Sequence, residues 1–80
     1  MTIKNLLERD VLGKVALCEY KGEDEDGKAI EEWLWTSEDL AGLKDVPSEY
    51  VTREVLELRP GYYISEVGVT SMIVISVKEA

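Results

Sequence analysis

Seventeen carboxylates, one thiol and no imidazole define the chemistry this chain can offer. Without histidine there is no ordinary general base near neutral pH, no imidazole metal ligand and no Ser-His or Cys-His pair. Cys18 stands alone within residues 14–21 (KVALCEYK), among apolar neighbours and with nothing to depress its pKa, which is the setting of a buried, inert thiol. Glu31 and Glu32 are adjacent; on a strand they point to opposite faces and cannot converge on one substrate atom. Catalysis is not expected, and no cofactor is called for.

The run Glu23-Asp24-Glu25-Asp26 between Gly22 and Gly27 invites a calcium reading, because Asp24, Asp26 and Gly27 match three inner positions of an EF-hand loop. The first position would be Gly22 and the twelfth Trp33, so the opening carboxylate and the bidentate glutamate are both missing. A dedicated metal site is not supported. Gly42, Gly61 and Gly68 are isolated and form no phosphate-binding loop. Tyr62 and Tyr63 with Trp33 and Trp35 have the makings of a base-stacking platform, but such platforms sit in basic grooves. Only Arg59 and Lys28 are close in sequence, so one of the tyrosines and one or both tryptophans are expected to fill the core.

Charge is distributed more informatively. Between Glu19 and Asp39 stand Glu19, Glu23, Asp24, Glu25, Asp26, Glu31, Glu32, Glu38 and Asp39, against Lys21 and Lys28 alone. This stretch carries seven of the eight net negative charges. If it forms one hairpin, Glu23, Asp24, Glu25, Asp26, Glu31 and Glu32 make a concentrated negative surface flanked by Trp33 and Trp35. Charge would steer such a ribbon into a basic groove and an aromatic anchor would hold it there. The alternative is an edge hairpin kept soluble and unpaired by its charge.

The elements that must position these residues follow from periodicity. Thr2 is an N-cap for a short helix carrying Ile3, Leu6 and Leu7 on one face and ending at Gly13. Residues 14–21 read as a strand, and Asp26-Gly27 as the centre of a type I′ hairpin turn. Residues 29–36 (AIEEWLWT) return as the second strand, with Trp33 and Trp35 on one face and Ile30 and Leu34 on the other. Thr36 with Asp39, or Ser37, caps a short helix over residues 38–43, and Ser48 opens a further helical turn. Residues 53–59 (REVLELR) are a third strand, with helix as the alternative. Pro60-Gly61 is a turn, residues 62–67 a fourth strand, Gly68 with Thr70-Ser71 another turn, and residues 72–78 (MIVISVK) a fifth strand. The last has apolar side chains on both faces, as a central strand does.

Length and composition agree with this. Eighty residues, 45% of them hydrophobic, suit a single domain over residues 1–80 with one core and roughly 60% of its unfolded surface buried. The expected class is α+β: a small antiparallel sheet of four to five strands with one or two short helices packed on it. No signal peptide or membrane span is read, and a lone cysteine fits a reducing, cytoplasmic setting. A net charge of −8 argues against nucleic acid or anionic lipid as a direct partner.

Three segments together resemble a known group: Met1-Thr2-Ile3-Lys4-Asn5-Leu6-Leu7-Glu8, then Val46-Pro47-Ser48-Glu49-Tyr50-Val51-Thr52-Arg53-Glu54-Val55-Leu56-Glu57-Leu58, then Ile73-Val74-Ile75-Ser76-Val77. They resemble small uncharacterised proteins encoded by phages and prophages of Firmicutes, over about half of the chain. The resemblance carries over no functional residues. It implies a setting in which many products bind and inhibit host defence enzymes. The expectation is therefore a small acidic binding module whose partner is a host protein with a basic surface; a homo-oligomeric accessory protein, pairing through residues 72–77 or the third strand, is the alternative.

Overall fold

The computed structural model describes residues 1–9, 13–37 and 42–79. Two hairpins make the sheet. β1 (Lys14–Glu23) pairs antiparallel with β2 (Ala29–Thr36), and β3 (Val55–Ser65) pairs antiparallel with β4 (Gly68–Lys78). They join where β1 lies parallel to β4, with Lys14 opposite Met72 and Tyr20 opposite Lys78, giving the order β2-β1-β4-β3. The class is α+β with strands dominant, and the expected all-antiparallel sheet is corrected to a mixed one. A parallel contact needs a crossover, and residues 37–54 supply it.

That crossover and the N-terminus cover one face. α1 (Ile3–Leu7) starts at Thr2, whose Oγ1 accepts the Asn5 N–H at 3.4 Å while Asn5 Oδ1 accepts the Thr2 N–H at 2.9 Å. The helix stops at Leu7, well before Gly13. Short 3-10 turns at Gly42–Asp45 and Ser48–Tyr50 follow β2; residues 38–41, the body of the expected second helix, lie outside the described residues. Ile3, Leu6 and Leu43 close over Val15, Leu17, Ile75 and Val77 to form the core. Backbone bonds from Lys4 to Val51 (2.9 Å) and from Val55 to Met1 (2.7 Å) stitch the N-terminus onto the crossover. β4 is the central strand that its two-sided apolar pattern predicts, with Ile73, Ile75 and Val77 to the core and Val74 and Ser76 to the opposite face. Since β1 and β3 occupy both its edges between Met72 and Lys78, residues 72–77 have no edge to offer a second copy.

The sequence reading fails most plainly at Pro60-Gly61, which is no turn. β3 runs straight through it, Pro60 opposite Ile73 and Gly61 opposite Met72, so four strands replace five. An edge strand tolerates proline because the missing N–H faces away from the ladder. Glycine is there for space: a Cβ on Gly61 would come within 2.8 Å of Val74 Cγ2 and 3.3 Å of Met72 Cγ. The turn instead falls at Glu66-Val67, with Thr70 and Ser71 inside β4. Gly61→Ala is expected to destabilise the fold by about 1–2 kcal/mol in urea titration, since Met72 can rotate away but branched Val74 cannot.

Candidate functional site

β1 and β2 extend past the sheet. β1 leaves β4 after Tyr20, so residues 21–29 form a two-stranded ribbon ending in the acidic turn. The turn is a three-residue loop rather than type I′. The Gly27 N–H donates to the Asp24 carbonyl at 3.1 Å and the Asp24 N–H to the Lys28 carbonyl at 2.8 Å, which puts Glu25 and Asp26 at the centre and Gly27 in the left-handed region at φ 79°. The Asp24 carboxylate holds this loop by accepting the N–H groups of Asp26 and Lys28, each at 2.9 Å. Its Oδ1 is turned onto the loop backbone, and among the described residues no cluster of His, Cys, Asp and Glu could hold a metal ion.

Among the described residues each carboxylate on the sheet body has a basic partner. Glu19 lies between Lys21 Nζ (2.6 Å) and the Arg53 guanidinium, which hold its carboxyl below the usual range, Lys21 first; Glu32 faces Lys21 at 3.3 Å. Glu31, on β2 at one edge, reaches over the open face to meet Arg59 from β3 at the other edge. The contact is bidentate, Nη2 to Oε1 at 2.5 Å and Nη1 to Oε2 at 3.1 Å. This ion pair roofs Cys18 and Ser76 on the two central strands. Glu23, Asp24, Glu25 and Asp26, by contrast, have no basic partner among the described residues, and all four are exposed. The hairpin therefore holds the predicted acids in one ribbon but sorts them: tip acids free, body acids paired, with Glu31 and Glu32 on opposite faces.

Cys18 lies beneath the roof. Its thiol donates to Glu31 Oε2 at 2.9 Å, and burial first, then Glu31, push its pKa up to about 11. At pH 7 the thiolate is then about one part in ten thousand of the thiol, and only the thiolate attacks. Iodoacetamide is expected to modify the native protein about a hundred-fold or more slowly than the urea-unfolded chain. Rates within a few-fold of each other would show that the roof opens freely.

The tryptophans do not share a face. Leu17 pairs with Trp35 but Cys18 with Trp33, so Leu34 is an extra residue, a bulge that turns both Leu34 and Trp35 toward the core. Trp33 is left on the open face, 61% exposed. Nor do the tyrosines fill the core. Tyr62 and Tyr63 join Trp33, Lys14, Thr36 and Met72 around an open cleft of about 300 Å³ at the end of the sheet remote from the acidic tip. Lys14 Nζ sits 4.8 Å from the centroid of the Tyr63 ring. No protein-family model, curated protein or solved structure matches this chain. Lys14 escaped the sequence reading because only the parallel β1–β4 register brings it beside Tyr63, while Thr36 and Met72 join through strand β2 and the β3–β4 hairpin. Among the described residues no helix is long and apolar enough to cross a membrane.

Proposed function

We propose that this chain is a non-catalytic binding module that docks its acidic hairpin tip into a basic site on a host protein, in the manner of a phage-type inhibitor acting in the cytoplasm on a nucleic-acid-handling or defence enzyme. One observation carries the reading: the body carboxylates are matched by Lys21, Arg53 and Arg59, whereas Glu23, Asp24, Glu25 and Asp26 are left unmatched on a ribbon that stands clear of the sheet. Unscreened charge on a projecting element raises the rate of encounter with a basic groove, with a steep dependence on salt. The test is a triple variant, E23Q/E25Q/D26N, which spares the turn-forming Asp24. Folding stability should stay within about 0.5 kcal/mol of the parent. Capture of a defined host partner should be lost in the variant and should weaken with salt in the parent. Capture that survives both changes ends the acidic-tip mechanism.

A second reading, self-association, has its own support. β1 begins opposite Met72, so residues 62–71 project as a second two-stranded arm at the other end of the molecule. This arm exposes Tyr62 (70%), Ile64 (75%), Val67 (96%) and Val69 (70%), and its one charged residue is Glu66. Contiguous exposed apolar groups of this kind mark interaction surfaces. Arm-to-arm contact between two copies would also keep the acidic tips far apart. Light scattering decides it: a dimer dispersed by Ile64→Lys supports the reading, and a strict monomer at tens of micromolar removes it.

A further inference from the structure

The open-face cleft is a candidate ligand site separate from the acidic tip, and its lining specifies an occupant. Trp33 and Tyr63 present two rings on this face and Met72 adds a polarisable thioether. A surface of that composition favours a flat ring system, and about 300 Å³ is at the small end of ligand pockets, enough for one or two fused rings. The lining contains one charged group, Lys14, and no carboxylate. Among the described residues Lys14 has no carboxylate partner; it is held over Tyr63 instead. On the same face the nearby acid, Glu31, is taken up by Arg59. We propose that this cleft binds a small aromatic carboxylate, with the ring lodged between Trp33 and Tyr63 and the carboxylate on Lys14.

Charge decides against the other occupants. A cationic ring would meet Lys14 directly, and a neutral one would leave its ammonium without a counter-ion. A nucleic-acid strand needs a line of cations along its phosphates, whereas this cleft has one and the whole chain carries −8. Two features keep the cleft open. Gly61 leaves room for Met72 to lie across β3, and the bulge at Leu34 keeps Trp33 on this face while Trp35 turns inward.

The test is titration of the full ¹⁵N-labelled chain with 2-naphthoate, alongside 2-naphthylmethylammonium and an oligothymidylate. Saturable shifts at the Trp33 indole N–H and at the Lys14, Thr36 and Met72 amides are expected with 2-naphthoate, and the ammonium compound should bind about ten-fold or more weakly. Lys14→Gln should weaken 2-naphthoate about ten-fold, Lys14→Arg should retain it, and Trp33→Ala, at an exposed position, should lose it with the rest of the spectrum unchanged. Equal binding of the cation, indifference to K14Q, shifts that do not saturate, or tighter binding of the oligonucleotide would each overturn the assignment.

Discussion

Replacing Ile75 with alanine is expected to lower the unfolding free energy by about 3–4 kcal/mol, the middle of the range of about 2–5 kcal/mol for Ile-to-Ala changes in a packed core. Ile75 is fully buried at the middle of β4, opposite Leu17 on one side and Leu58 on the other, beneath the helix and the first 3-10 turn. It also sits in the strand contact that joins the two hairpins, residues 14–20 against 72–78. A chain of eighty residues has on the order of 4–12 kcal/mol of stability in all, so one truncation here removes about a quarter or more. The midpoint of thermal unfolding should fall by about 15–25 °C. Leu58→Ala, on the edge strand and half exposed, is the control and should cost about 1 kcal/mol. If both truncations cost the same in urea titration, the junction is not where the stability lies.

Ile75 also shows which kind of information was present in the sequence. Residues 72–78 alternate apolar side chains on both faces, and only a strand covered on both sides does that; its central place follows from the pattern alone. The Thr2 cap, the acidic hairpin and the buried Cys18 were readable for the same reason, since each depends on residues within a few positions of one another. What could not be read was set by partners distant in sequence. Pro60-Gly61 has the chemistry of a turn, and it becomes strand only because β3 is an edge and Val74 and Met72 need the space above Gly61. Strict alternation puts Trp33 and Trp35 together, and a single extra residue, Leu34, separates them. The cleft depends on a parallel register between strands more than fifty residues apart, for which no local signal exists. The candidate sites divide likewise: the acidic tip is local and was legible, whereas Lys14 beside Tyr63 is not.

Arg59→Ala is expected to cost about 2 kcal/mol at pH 7, and the loss should be confined to pH values at which Glu31 is ionised. The magnitude lies between that of an exposed pair, below about 1 kcal/mol, and a buried one, about 3–5 kcal/mol, because water reaches the outer side of this contact while Cys18 and Ser76 exclude it from the inner side. Removing the guanidinium leaves the Glu31 carboxylate over the central strands with the Cys18 thiol and the Ser76 hydroxyl as its remaining donors. The Arg59 bond is the main reason the Glu31 carboxyl is held below its usual value of 4.5. A carboxyl whose folded pKa is depressed contributes stability that is fully present above the unfolded value and is lost as pH falls through the folded one. The parent should therefore lose stability below about pH 4.5, and the variant should lose less of it. Their two curves should close toward each other as the pH approaches about 2, since Glu19 with Lys21 and Arg53 titrates alike in both. Adding Glu31→Gln to Arg59→Ala removes the stranded charge, so the double variant should be more stable than the sum of the two single losses implies. Urea titrations of the four proteins at neutral and acid pH supply the whole cycle. A gap between parent and Arg59→Ala that stays constant with pH would mean that Arg59 acts through its apolar stem, and that the open face of the sheet is covered by packing rather than by charge.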